Sequence, residues 1–479
     1  MTVQIRNLDA KPAKITDEEL AALGAGLRGE VALKGEPGYD EARTLWNATV
    51  NRKPGIVVRA RGSADVQAAV NLAQEKRLLI SVRSGGHQIA GHAVADGALL
   101  LDLSQMRSVR VDPMTRTAWV EPGATLGDVD KETAAHGLAL PMGINSTTGI
   151  AGLTLGGGFG WLTRKYGMTI DNLISADVVT ADGKRLRASE NDHPDLFWAI
   201  RGGGGNFGIV TAFEFRLHQV GPEVLAGLIV YPYAEAGRLL REYRRITADA
   251  PDDLTIWTVF RKAPPLPFLP AEWHGREVFV IAACYAGDPA KGEAALAPLR
   301  RLGEPIADVI GPSPLAGWQA AFDPLLAPGA RNYWKSHDFL DLPDALIDIL
   351  AGALSSSPSP NCEIFVAHVG GAMARVRPEA TAYPQRASHF IMNIHTRWDK
   401  AKQDDECRRW ARSIFDKTAP HATGTAYVNF MPEDEPDRIT GVYGDNMQRL
   451  SEVKAKYDAS NLFRLNHNIQ PAREMAAAE

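Results

Sequence analysis

Cysteine is nearly missing from this chain of 479 residues: Cys284, Cys362 and Cys407 are all it has, an odd number with no CxxC pair. That scarcity excludes a disulfide scaffold and a structural zinc site and leads us to expect a reducing compartment. An excess of basic residues is lacking too. With 52 Lys and Arg against 57 Asp and Glu the formal charge is -5, so no surface of the kind that holds nucleic acid is expected. The opening stretch "MTVQIRNLDAKPAKITDEEL" has no apolar h-region, and no later run is long and apolar enough to cross a bilayer. The expectation is a soluble, cytoplasmic protein with no membrane partner. His87 and His92 have no carboxylates spaced around them as metal ligands, so no metal is expected either. Internal repeats and low-complexity tracts are absent, and the sequence leaves the oligomeric state open.

What the chain holds in quantity is glycine, 44 residues in all. Three clusters fall in one half: "RSGGHQIAG" from Arg83, "GIAGLTLGGGFGWLTRKYG" from Gly149, and "RGGGGNFGIVTAFEF" from Arg201. Glycine lets backbone approach a ligand closely, and successive N–H groups in such turns form nests for phosphate oxygens. Three clusters together point to a nucleotide-type ligand. Gly203 to Gly208 satisfies GxGxxG, but "DLFWAIR" precedes it and the strand-like "IVTAFEF" follows. A Rossmann fingerprint follows a strand and opens a helix, so an NAD-dependent dehydrogenase is disfavoured and a pyrophosphate held by loops fits better.

The length suits two domains. Up to Leu217 short strands alternate with short helices: "SADVQAAVNLAQEKR" reads as a helix with Ser63 as N-cap and Val66, Ala69, Val70 and Ala73 as its apolar stripe. "LLISV" and "ALLLDL" read as buried strands, and "SVRVDPMTRTAWVEPG" and "ADVVTADGKRLRA" as antiparallel pairs around tight turns. From His218 longer strands dominate, "LTIWTVFRK", "EVFVIAACYAG", "NCEIFVAHVGG" and "SHFIMNIHTRW", interleaved with the helical "DPAKGEAALAPLRRLG" and "WDKAKQDDECRRWARSIFDK". This predicts an antiparallel sheet backed by helices on one face. The fold class is α+β, with residues 1–217 as a first domain, 218–423 as an inserted second domain, and 424–479 returning to the first.

Several motifs in a fixed order resemble the berberine-bridge-enzyme-like FAD-linked oxidases of the vanillyl-alcohol-oxidase superfamily, with a PCMH-type FAD-binding domain. They are "PGIVVRARGSADVQAAVNLA", "VRSGGH", "GGGFGWLTRKYG", "DLFWAIRGGGGNFGIVTAFEF", "YWKS", "AYVNF" and "NLFRLNHNIQP", spread over most of the chain. The resemblance implies a two-part FAD-binding domain, an inserted substrate domain with an antiparallel sheet, and hydride transfer from a small alcohol, saccharide or amine to FAD and then to molecular oxygen. A flavin dehydrogenase using another acceptor, or a flavin-retaining binding protein without turnover, are the alternatives.

It further implies that His87 is the covalent anchor of FAD, through a ring nitrogen that must be neutral to act as a nucleophile. Around it Arg83, Ser84, Gly85, Gly86, Gln88, Gly91 and His92 would contact the cofactor. Where relatives carry a second, cysteinyl anchor in "GxCPTxG", this chain reads "GINSTTG" with Asn145 at the cysteine position, so no cysteinyl linkage is expected. Gly143, Thr147 and Thr148 belong to the same stretch, and Thr148 stands where relatives control oxygen access. Gly149, Gly152, Gly157, Gly158 and Gly160 follow in the second cluster, Gly208 and Val210 in the third, and Asn466 and Asn468 near the end. Amides both donate and accept, as the alternating edge of an isoalloxazine requires.

For catalysis the "YxN" match makes Tyr427 the leading general base, with Asn429 on the same face if the segment is a strand. A phenol with an ordinary pKa near 10 needs help to accept a proton; Lys335 is the candidate cation. Tyr231, Tyr333, Trp334, Glu363 and His368 are candidate pocket residues of the second domain.

Overall fold

The computed structural model describes residues 2–472. Near the N-terminus the apolar runs form a four-stranded sheet in the order Glu30–Ala32, Ile56–Arg59, Leu99–Asp102, Ile80–Arg83, the last three parallel. The helix Ser63–Glu75 covers it, and its stripe of Val66, Ala69, Val70 and Ala73 is fully buried. Gly62, not Ser63, is the N-cap; Ser63 is the first helical residue and its hydroxyl makes no cap bond.

A second, five-stranded antiparallel sheet runs Arg185–Ser189, Leu173–Val179, Ile209–Arg216, Thr117–Val120, Val109–Asp112. The tight turn of its first hairpin has Gly183 at φ +75, the left-handed region that Asp-Gly turns favour. Residues 203–208 lie between the helix Pro194–Ile200 and the strand Ile209–Arg216. That order is the reverse of a Rossmann unit.

The third sheet is eight-stranded and entirely antiparallel. Its path runs Ala307–Asp308, Glu223–Pro232, Glu277–Tyr285, Leu254–Lys262, Glu363–His368, Phe390–Trp398, Arg331–Phe339, with Gly311–Pro314 also paired to Glu223–Pro232. Alternation decides what each face meets. Ile256, Phe260, Ile281, Ile364, Val366 and Met392 point one way, into a core shared with the helices Ala236–Ala248, Asp344–Ala353 and Asp404–Thr418. The intervening residues point the other way, at the glycine-rich domain. Among the described residues no helix is long and apolar enough to cross a membrane.

A buried ion pair ties the C-terminal segment to the third glycine loop. Lys454 and Asp458, both fully buried on the helix Asn446–Tyr457 and the residue after it, lie 2.7 Å apart, and Lys454 Nζ also donates to the carbonyls of Asn206 (2.7 Å) and Phe463 (3.0 Å). Asn206 Oδ1 in turn accepts from the Ile469 N–H. The third glycine loop and the segment bearing Asn466 are thereby tied together. Removing one member of a buried pair strands the other charge, so Lys454→Met is expected to cost about 3–5 kcal/mol of stability, read as a lowered urea midpoint; an unchanged midpoint would show the pair to be dispensable.

Candidate functional site

Where the eight-stranded sheet faces the glycine loops, a cavity of about 390 Å³ opens between them. Antiparallel register sets its far wall in rows. Arg261, Glu363, His395 and Trp334 are aligned across four neighbouring strands, and Val259, Phe365 and Asn393 form the next row on the same face. Trp257, Trp161, Phe159 and Phe430 complete an aromatic lining, with Trp161 stacked on Trp257 at 4.6 Å.

His87 sits on the opposite wall. The strand Ile80–Arg83 delivers the chain to Gly85, whose backbone crosses that of Gly149 so closely that a Cβ on Gly85 would lie 2.5 Å from Gly149 N and Cα. These two glycines thus let backbone cross backbone, while both also line the cavity. Gly85→Ala is expected to cost about 1–3 kcal/mol through overpacking and to lower FAD content, measured as the flavin-to-protein absorbance ratio; full loading and an unshifted midpoint would contradict the close crossing.

Past that crossing the His87 ring stacks on Trp46, centroids 4.3 Å apart, and its Nε2 is shielded from solvent with no hydrogen-bond partner. Burial, with His395 and Arg397 adding repulsion, pushes its pKa down to about 3. The imidazole is neutral at pH 7, as a nucleophile must be. Two further histidines line the cavity, His92 and His467, their rings edge-to-face at 5.2 Å. Burial lowers them to about 4, with Arg52 contributing, and about 3, with His92 contributing.

Ser84, Gly86, Gln88, Gly143, Thr148 and Gly149 also line the cavity, as do Gly152, Gly208, Val210 and Asn466. A Cβ on Gly152 would meet nothing within 4 Å. Asn145 lies there too; its Oδ1 accepts from the Thr147 backbone N–H and hydroxyl, while its Nδ2 is shielded and unpartnered. His87 Nε2, Asn145 Nδ2, Asn466 Oδ1 and His467 Nε2 are thus buried polar atoms without protein partners, each on a residue that lines the cavity. Buried polar groups are normally paired, and a mixed set of donors and acceptors suits a flavin ring. None of the three cysteines, all buried elsewhere, lines the cavity.

Other residues singled out from the sequence lie off this surface. Arg83 turns away, Nη1 donating to the carbonyls of Glu41 and Ala42. Gly91 packs on Val50 and Gly160 on the Met142 carbonyl. Thr147 is spent on Asn145, and Asn468 is not part of the lining. Gly157 and Gly158 support the catalytic candidate instead: Gly158 N–H donates to Tyr427 Oη at 3.0 Å, and a Cβ on Gly157 would sit 3.3 Å from the Tyr427 ring.

Tyr427 is buried beside Phe159 and Phe430 and lines the cavity. The segment is not a strand. Val428–Phe430 is a 3-10 turn, which brings Asn429 Nδ2 within 2.9 Å of Tyr427 Oη while it also donates to the Leu153 carbonyl. Burial, opposed by the two N–H donors, pushes the phenol up to about 12.

Lys335 is not its cation. On the strand Arg331–Phe339 it shares a face with Tyr333 and His337, the face towards the helix Asp404–Thr418, where it pairs with Glu435 and lies 4.4 Å from the Phe415 ring centroid. Tyr231 and Tyr333 face the same helical core, and His368 meets Arg164 at 2.9 Å outside the cavity. Of those five pocket candidates Trp334 and Glu363 line it. Glu363 is held between Arg261 (2.7 Å) and His395 (3.2 Å); burial alone would raise its pKa, but Arg261, His395 and Arg397 outweigh it and bring the carboxyl down to about 2. Burial holds His395 below its ordinary value. Sequence reasoning missed Arg261, Asn393, His395 and Trp46; the first three were within reach of the strand alternation once Glu363 had been placed on the cavity side. Among the described residues no cluster of His, Cys, Asp or Glu could hold a metal ion.

Glycine loops facing an antiparallel sheet across one cavity fit the architecture of a flavoprotein of the vanillyl-alcohol-oxidase type. Residues 54–189 match the family model described as FAD binding domain, and residues 426–470 the one described as Berberine and berberine like. An FAD-linked oxidoreductase of Dictyostelium discoideum is 32% identical, covering 93% of this chain and 95% of its own. The (R)-6-hydroxynicotine oxidase of Paenarthrobacter nicotinovorans is 29% identical over 93% and 97%. The solved structure of 6-hydroxy-D-nicotine oxidase from Arthrobacter nicotinovorans superposes with a TM-score of 0.83 at 28% identity, covering 93% of this chain and 98% of that one. The chain belongs to the berberine-bridge-enzyme-like family and is an FAD-dependent oxidoreductase.

Proposed function

We propose that this enzyme is an oxidase of a small alcohol, saccharide or amine, with FAD tethered through His87 and through no other residue, and with molecular oxygen as the final acceptor. The observation that carries the tether is the neutral His87 ring with its unpartnered, shielded Nε2 on the cavity wall, set against the absence of cysteine from that wall among the described residues. FAD, when bound, supplies the hydride acceptor and passes the electrons on.

The chain's own residues prepare the substrate. Tyr427 Oη receives N–H groups from Gly158 and Asn429, which occupy both lone pairs of the neutral phenol; only after its own proton has left to solvent does the phenolate offer a third pair to a substrate O–H or N–H in the cavity. Those two donors stabilise negative charge on the oxygen, so the ionised fraction of Tyr427 acts as the base: the phenolate takes the substrate O–H or N–H proton, becoming phenol, as the adjacent C–H bond gives up its hydride. The aromatic lining keeps water out while this happens. Thr148, small and β-branched, borders the cavity and leaves room for oxygen. The similarity to a protein named (R)-6-hydroxynicotine oxidase supports an amine as one candidate substrate.

The test of the acceptor is stoichiometric. Hydrogen peroxide equimolar with oxidised substrate is the expected result; slow reoxidation in air with fast turnover on an artificial quinone would mark a dehydrogenase instead.

A further inference from the structure

The cavity continues past the site just described. Leu228, Leu266, Phe268, Phe322 and Leu325 line both the main cavity and an adjoining one of about 350 Å³. This annex lies between the proline-rich loop 263–273 and the segment 309–325. Its own lining, Ala226, Val309, Pro312, Ala321 and Pro324 among others, carries no charged group; Ser313 and Trp318 supply its polar side-chain atoms, and Trp318 Nε1 is buried without a partner. Val309, at 40% exposure, is one of three large apolar side chains open to solvent among the described residues. The annex therefore reaches the surface through an apolar lip.

On the sheet wall of the main cavity the polar groups are gathered at one end, Arg261, Glu363, His395 and Asn393 in adjacent rows, and Tyr427 lines the same cavity. From that end towards the annex the strands contribute Val259, Val280, Val230 and Leu228. A saccharide carries hydroxyls all round, and each one left unpaired against such a wall weakens binding. An apolar body gains by leaving water there.

We propose, resting on the oxidoreductase reading above, that the substrate is a hydrophobic alcohol or amine. Its polar head lies between Tyr427 and Glu363, and its apolar body runs past Leu266 and Phe268 into the annex.

The experiment is binding of straight-chain primary alkanols and alkylamines, from four to ten carbons, to the FAD-loaded enzyme, by calorimetry and by flavin difference spectra without oxygen. Kd is expected to fall about threefold to fourfold per added methylene. Glucose, maltose and xylobiose are expected to bind more weakly than the longest chains. Val309→Asp and Ala321→Asp, each checked for wild-type flavin content and unfolding midpoint, are expected to flatten the dependence on chain length. A flat wild-type series in both homologous sets, or a saccharide bound more tightly than every alkanol and alkylamine, overturns the inference. Chains that bind with the expected slope but leave the flavin oxidised support this inference and count against the proposed oxidation.

Discussion

Tyr427→Phe is expected to slow anaerobic flavin reduction by about 10²–10⁴-fold, the usual contribution of a general acid or base, while FAD content and unfolding midpoint stay at wild-type values. The ring keeps its contacts with Phe159 and Phe430, and only the oxygen that accepts from Gly158 and Asn429 is lost. Wild-type reduction carries its own signature. Because the phenol is pushed up to about 12, the ionised fraction grows with pH over the whole accessible range, so the rate is expected to climb up to about tenfold per unit between neutrality and pH 10 without a plateau. Glu363, brought down to about 2, would give a flat profile in the same window. Stopped-flow reduction by saturating substrate decides: a level profile with a loss below about tenfold in Tyr427→Phe removes the tyrosine from the role.

His87→Ala is expected to abolish flavin retention on denaturation altogether. Wild-type protein run on a denaturing gel should fluoresce as a flavoprotein after acid treatment, and the variant should not. The native variant should still bind FAD, since Asn145, Asn466 and the glycine loops lie on the same wall. Fluorescence persisting in the denatured variant would place an attachment elsewhere, and His92 and His467, both neutral and on the same cavity, are the residues it would implicate.

Much of this was legible in the sequence, for reasons that differ by element. The apolar, β-branched and aromatic runs "LTIWTVFRK" and "SHFIMNIHTRW" match the strands Leu254–Lys262 and Phe390–Trp398, because strand preference is carried by residues adjacent in sequence. Which face meets which partner is not local. Lys335 lies within such a strand, and it meets Glu435 and not Tyr427 because its face of the sheet is the one that packs on the helix Asp404–Thr418. Tyr427 and Asn429 do meet, but through a 3-10 turn, since Gly156 leaves room for the Asn429 amide that a Cβ would strike. Trp46 sits in no motif at all; its place against His87 follows from long-range packing, held by its Nε1 donating to the Leu326 carbonyl.

The single histidine tether is tested most directly by proteolysis of acid-precipitated protein followed by mass spectrometry of the yellow peptides. One flavin-bearing peptide is expected, containing "RSGGHQIAG", with the added mass on His87. A flavin peptide from the "GINSTTG" region, one carrying His92 or His467 as the modified residue, or complete release of FAD into the supernatant would contradict it.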